Sequence, residues 1–249
     1  MSLLLLGGTA DARRLAKRLS GQGIDLVYSI AGRVRQPELD CPVVSGGFSA
    51  QGGLARFVET RGIDAILDVT HPYAETMSTT AVRAAKSCGI PLWRYQRPAW
   101  QPEPADDWRE FANWLDLPDQ LVGYRSVFFT CGQLPDSLIE RLETGGGQSQ
   151  LLRTALRPAH ALPQSMTWIE DIGPFERDAE RELFQQHSID LLVSKNSGGE
   201  STSAKLAVAR ELGVPVLMLR RPQLPVIEHE FDRLDECAAF VLSRLSESV

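Results

Sequence analysis

The feature that most constrains this chain is an alternation. Short, uninterrupted apolar runs alternate with longer stretches whose apolar residues recur at helical spacing. Leu3–Leu6 opens the series and is followed by a helical pattern over Ala10–Leu19, with Ala12, Leu15, Ala16 and Leu19 on one face. The theme continues with strands at Leu26–Ile30, Val43-Val44, Ala65–Val69 and Pro91–Arg94, and helices at Gly52–Glu59 and Glu75–Ser87. Continuous apolar runs of this length suit strands buried on both faces, which is the situation of a parallel sheet covered by helices. The second half repeats the grammar. Strands are expected at Val127–Thr130, Gln150–Arg153, Thr167–Glu170, Leu191–Ser194 and Val216–Leu219, and helices at Asp136–Leu142, Glu176–His187, Ser203–Leu212 and Asp232–Leu245. The fold class is therefore α/β, with mainly parallel sheets.

The two halves echo each other in detail. Ile63-Asp64-Ala65-Ile66-Leu67 resembles Ile189-Asp190-Leu191-Leu192-Val193. Ala85, Gly89, Pro91, Arg97 and Pro98 recur at a constant offset as Ala209, Gly213, Pro215, Arg221 and Pro222. Two related domains are expected, 1–122 and 123–249. Segment 98–122, rich in proline and acid, reads as a linker with a short helix around Trp108–Leu115.

Composition narrows the function. The 249 residues carry a formal net charge of -6, which argues against nucleic acid, since affinity for a bulk polyanion needs a basic surface. The acid is unevenly spread: segment 103–119 holds six acids against Arg109, and segment 225–249 holds six against Arg233 and Arg244. The remainder is slightly positive and contains all four lysines, Lys17, Lys86, Lys195 and Lys205. No apolar run approaches the ~20 residues that span a bilayer. The opening leucines run at once into Gly7-Gly8 and read as a strand rather than a signal peptide. Cys41, Cys88, Cys131 and Cys237 are scattered, as are His71, His160, His187 and His229, so no metal site is expected and a reducing cytoplasm is.

Ligands of parallel sheets bind at the carboxyl ends of strands, and four loops there are candidates. Gly7-Gly8-Thr9-Ala10 precedes the first helix, where glycines and free N–H groups suit a pyrophosphate; a bare tight turn capped by Thr9 is the plainer reading. The second strand ends without the acid that would hold a ribose diol and runs into Arg33 and Arg35. An arginine there would favour NADPH over NADH, unless it is simply solvated. Gly46-Gly47 follows the third strand, close to a cofactor or in a turn. Asp68-Val69-Thr70-His71-Pro72-Tyr73-Ala74 gathers a carboxylate, hydroxyls and an imidazole, with Asp68 read as a buried acceptor that orders the loop. The loop Ser194–Lys205 combines glycines, small donors and two lysines, which suits an anion, although a helix-capping turn at Ser201 or Thr202 would explain part of it.

Taken in order, Gly7-Gly8-Thr9, Gly46-Gly47-Phe48, Thr70-His71-Pro72-Tyr73-Ala74, Arg97-Pro98-Ala99-Trp100, Gly173-Pro174-Phe175 and Ser194-Lys195-Asn196-Ser197-Gly198-Gly199 resemble the precorrin-6A reductases of cobalamin biosynthesis, over residues 3 to about 222. The resemblance implies a cytoplasmic enzyme of two Rossmann-like domains with the ligand crevice between them. It implies NADPH reducing a double bond of precorrin-6A, or its cobalt form, to give precorrin-6B; no motif separates the two substrates. Gly7, Gly8, Thr9, Ala10, Arg33, Gly46 and Gly47 would hold the cofactor, and Thr70 and His71 would lie near the nicotinamide, with His71 the candidate proton donor. Tyr73, Ser194, Lys195, Asn196, Ser197, Gly198, Thr202 and Lys205 would hold the carboxylates of the tetrapyrrole. Transient contacts with neighbouring pathway enzymes are a further expectation. Other classes are a short-chain NADP-dependent reductase or epimerase, disfavoured because no tyrosine is followed four residues on by lysine, and a non-enzymatic NADP(H) sensor.

Overall fold

The structure, a computed structural model, describes residues 1–31, 37–144 and 147–246. The chain forms two compact units: residues 1–98 together with 222–249, and residues 99–221. Each contains one six-stranded sheet in which every described pairing is parallel.

The first sheet takes β1 (Ser2–Leu6), β2 (Asp25–Ile30), β3 (Val43–Ser45), β4 (Ala65–Asp68), β5 (Leu92–Tyr95) and β12 (His229–Phe231) in the order β12-β5-β4-β1-β2-β3. This is the Rossmann order. The opening leucines explain the central place of β1. Leu3 and Leu5 pack on one face with α1 (Ala10–Ser20) and α8 (Leu234–Ser246), while Leu4 and Leu6 pack on the other with α2 (Leu54–Arg61) and α3 (Glu75–Cys88). All four are at most 1% exposed, as a strand between two helical layers requires.

The second sheet takes β6 (Trp108–Phe111), β7 (Ser126–Phe129), β8 (Ser149–Thr154), β9 (Met166–Glu170), β10 (Leu191–Lys195) and β11 (Val216–Leu219) in the order β6-β11-β10-β7-β8-β9. Around it lie α4 (Leu117–Gln120), α5 (Asp136–Thr144), α6 (Arg177–Gln186) and α7 (Ala204–Leu212). Phe128, Leu192 and Met218 pack against Phe184 of α6 and Leu206 and Ala209 of α7.

The two orders are equivalent if β7–β11 are set on β1–β5. The sixth strands are then exchanged. β6 follows β5 in the chain but pairs with β11, and β12 follows β11 but pairs with β5. The echoed Arg97-Pro98 and Arg221-Pro222 stand at the two crossings, where the units end.

This corrects the expected organisation. Segment 98–122 is no linker: its residues Trp108–Phe111 form an edge strand, registered from Trp108 against Val216 to Phe111 against Leu219. Trp-Arg-Glu-Phe fits a short strand as well as a helical spacing, and pairing with β11 decides for the strand. The acids of this stretch are held locally: Arg210 binds Glu103 at 2.7 Å and Asp106 at 2.9 Å. The boundary thus lies at 98 rather than 122, and 222–249 returns to the first unit. The strand β12, three residues long, is too short to show a period in the sequence.

Candidate functional site

The first unit has a cavity of about 410 Å³ at the carboxyl ends of β1, β2, β3 and β4. Gly7, Gly8, Ser29, Ile30, Gly46, Gly47, Phe48, Thr70, His71 and Met77 are among the residues that line it. The glycines are there for two reasons. At Gly7 a methyl group would fall 2.3 Å from Cζ of Tyr28, a fully buried ring. At Gly8 and Gly46 the backbone has φ of 110° and 100°, which side chains rarely tolerate. The Tyr28 hydroxyl accepts the Gly8 N–H at 3.0 Å and fixes the turn. Thr9 caps α1, its Oγ1 accepting from Ala12 N at 3.0 Å, and donates to the Val69 carbonyl at 3.1 Å. The buried Asp11 carboxylate in the first turn is held by Arg14 and, at 2.9 Å, by Arg97. That ion pair ties the first turn of α1 to Arg97 of the Arg-Pro-Ala-Trp motif.

The loop after β4 is organised by Asp68, which is 1% exposed. Its Oδ1 accepts the Thr70 N–H at 3.1 Å and the Thr70 hydroxyl at 2.7 Å; Oδ2 accepts Ser78 Oγ at 2.7 Å and Arg94 Nε at 3.2 Å. The expected role of Asp68 as the acceptor that orders the loop agrees with this. The Thr70 hydroxyl hydrogen is directed at Asp68. His71 Nδ1 accepts the Tyr73 N–H at 3.3 Å, so the neutral ring carries its proton on Nε2. The Tyr73 ring lies 5.7 Å from that of His71. Arg33 lies outside the described residues.

In the second unit the loop after β10 is engaged in stitching the unit together. The Asn196 carboxamide grips the Trp100 backbone twice, accepting from N at 2.7 Å and donating to O at 3.0 Å. Arg221 Nε donates to the Asn196 carbonyl at 2.7 Å. Ser194 is fully buried, and the Thr202 hydroxyl donates to the Gly199 carbonyl at 3.3 Å. Phe175 N donates to Ser201 O at 3.0 Å, and a methyl group on Gly173 would fall 2.9 Å from that oxygen. Gly198 has φ of 71°. The cap of α7 is Ser203 rather than Ser201 or Thr202, and it makes no side-chain capping bond. Much of the polarity that read as ligand-directed therefore serves the fold.

The lysines are different. Lys205 is 4% exposed in the first turn of α7, 5.2 Å from the centre of the Trp100 ring. Burial and the nearby Arg153 push its pKa down to about 8. The neighbouring Glu180 is taken by a buried pairing with Arg153. Lys195 lies 5.9 Å from the Trp114 ring, and burial lowers its pKa too. Burial raises the Cys131 thiol to about 11 and the Cys237 thiol to about 12, which leaves both as unreactive packing groups. Arg94, Arg97, Trp100 and Trp114 were not among the expected site residues. Only Arg97 and Trp100 had a signal in the sequence, through the Arg-Pro-Ala-Trp motif. Among the described residues no cluster suits a metal ion, and no helix is long and apolar enough to cross a membrane.

Residues 2–242 match the model of the family described as precorrin-6x reductase CbiJ/CobK. The chain is 41% identical to the precorrin-6A reductase of Rhodococcus erythropolis, with 96% of each chain covered. It is 27% identical to the cobalt-precorrin-6A reductase of Priestia megaterium, covering 89% of this chain and 91% of that one. Its fold is similar to a solved structure titled CobK precorrin-6A reductase, with TM-score 0.87, 31% identity, and 98% and 97% of the two chains covered.

Proposed function

The chain belongs to the precorrin-6x reductase CbiJ/CobK family and is a reductase of cobalamin biosynthesis, and from that premise we propose that it reduces precorrin-6A to precorrin-6B with NADPH as hydride donor. The observation that carries the cofactor assignment is the cavity at the carboxyl ends of β1–β4, entered by a glycine turn with no room for a side chain at Gly7. The glycine turn, free of side chains, lets a pyrophosphate approach the start of α1, where helix N-terminal N–H groups suit it. The adenosine half belongs on the β2 side, where dinucleotide folds hold the ribose, against the apolar walls supplied by Ile30 and Phe48. Gly46 and Gly47 let the backbone pass close there, and Arg33 is the partner for the 2′-phosphate.

NADPH supplies the hydride when bound. The residues supply position and a proton. Thr70 and His71 line the cavity at the end of β4, on the side of β1 away from β2, which suits the nicotinamide half. Reduction of a double bond also needs a proton, and the Nε2–H of His71 is the candidate donor. Hydride transfer to a conjugated ring depends chiefly on positioning.

On the substrate side, Lys205 supports the assignment. Burial, the positive end of α7 and Arg153 all oppose its charge, and a carboxylate would relieve them. Within the second unit, Lys195, Ser197 and Gly198 complete the reading. Ser194, Asn196 and Thr202 position the loop. The nearer of the two reductases compared above carries the name of the cobalt-free substrate, which favours precorrin-6A.

The test is anaerobic incubation with NADPH and either precorrin-6A or its cobalt form, following nicotinamide absorbance and the macrocycle spectrum. Faster oxidation with precorrin-6A is expected. Saturable NADPH binding without oxidation on either substrate overturns the proposal. Arg33→Ala should raise KM for NADPH far more than for NADH; equal effects remove the 2′-phosphate role.

A further inference from the structure

Three charged residues stand in one row across three neighbouring strands of the first sheet. In the register of the pairs, Asp68 of β4 lies beside Arg94 of β5, and Arg94 lies beside Glu230 of β12. Arg94 is 2% exposed and is among the largest fully buried side chains. Its Nε donates to Asp68 Oδ2 at 3.2 Å. Its Nη1 donates to Glu230 Oε2 at 3.0 Å and to the Pro225 carbonyl at 2.9 Å. A buried guanidinium is costly unless paired, and every partner named here comes from the end of β4 or from the segment that returns after the second crossing.

We infer that Arg94 is a positioning residue for the reductase site, fixing the Asp68–Ala74 loop through Asp68 and itself fixed by Glu230 and Pro225 of the returning segment. Asp68 accepts from Thr70 twice and from Ser78 once, so the cation that orients its carboxylate also orients the backbone that carries Thr70 and His71. Two consequences follow. The cavity of the first unit is shaped by residues far away in sequence. The acidic C-terminal stretch, which carries no expected site residue, contributes Glu230 to this network. The inference rests on the reading that the cavity takes NADPH, because it concerns the competence of that cavity.

The test uses the full chain. Arg94→Met removes the row, and Glu230→Gln, on a side chain 44% exposed, weakens it without leaving a large void. Amide hydrogen exchange of Thr70, followed without cofactor, should speed up about tenfold or more in Arg94→Met and severalfold in Glu230→Gln. NADPH affinity, by titration of nicotinamide fluorescence, should fall about tenfold and about threefold, while KM for the tetrapyrrole stays within about twofold. A misplacement of about 1 Å is enough for losses of this order. In Arg94→Met/Glu230→Gln the affinity should fall no further than in Arg94→Met, because Glu230 acts through Arg94. A folded variant with wild-type exchange at Thr70 and wild-type NADPH affinity overturns the inference; if Arg94→Met does not fold, Glu230→Gln decides it alone. Absence of NADPH binding in the wild type would overturn the cofactor reading instead, and Thr70 exchange would still decide the role of Arg94.

Discussion

At Gly7 the volume that a side chain needs is already filled by the Tyr28 ring, so sequence and cavity are tied at a single atom. Gly7→Ala must push a fully buried ring aside. The expected result is a loss of about 1–3 kcal/mol of stability, the usual cost of overpacking, with NADPH affinity down at least about tenfold; urea unfolding and cofactor titration measure the two. His71→Ala should lower kcat/KM while leaving binary NADPH affinity nearly intact, and an unchanged kcat/KM removes the proton-donor role. For Lys205 the pH dependence has a definite sign. Its folded pKa, about 8, lies below the ordinary 10.5, so between these values the unfolded chain binds more protons and stability rises with pH. Below pH 8 the charge is buried in full, and Lys205→Met should be more stable than wild type there by roughly 1–3 kcal/mol. The gap should close toward pH 10.5, while the loss of tetrapyrrole affinity should be greatest below about pH 8, where the wild-type ammonium is charged. A gap that does not vary with pH contradicts the buried ammonium.

Among the elements, α1 shows how far a local signal reaches. Its apolar face, Ala12, Leu15, Ala16 and Leu19, is buried as its spacing requires, and Thr9 caps it. Thr9→Ala should cost about 1–2 kcal/mol, at the upper end because the hydroxyl also donates to Val69. The strand β6 shows the limit. Four residues cannot declare a period, and only the ladder to β11 makes Trp108–Phe111 a strand. Protection of the Val216 and Arg220 amides, which donate to the Asp107 and Phe111 carbonyls at 2.8 and 2.9 Å, should therefore depend on β6, and Arg109→Pro, at a position that faces β11, should weaken it. The loop after β10 was legible as unusual but not as to why. Its contacts with Trp100 and Phe175 span long stretches of chain, and polarity in a sequence does not say whether a donor will meet a ligand or a backbone carbonyl.

For the whole molecule, the exchange of sixth strands has a mechanical consequence. α8 supplies Cys237, Ala238, Val241 and Leu245 to the core that holds Leu3, Leu5 and the buried face of α1. Residues 1–98 alone should therefore expose that core and bind an apolar dye, and adding a 222–249 peptide in trans should suppress the binding. Independent, cooperative folding of 1–98 would contradict this account. The sequence by itself determined the α/β class, ten of the twelve strands among the described residues, the glycine turn, the duplication and the family. Those rest on local physics: strands buried on both faces must be continuously apolar, and glycine is required where backbone is crowded or has positive φ. The tertiary structure alone decided where β6 and β12 pair, that the unit boundary sits at the echoed Arg-Pro pairs, and that Asp68, Arg94 and Glu230 form one row. The reason is separation. Pairings between residues 26 and 136 positions apart leave no period in the sequence, and only the folded sheet brings such partners into register.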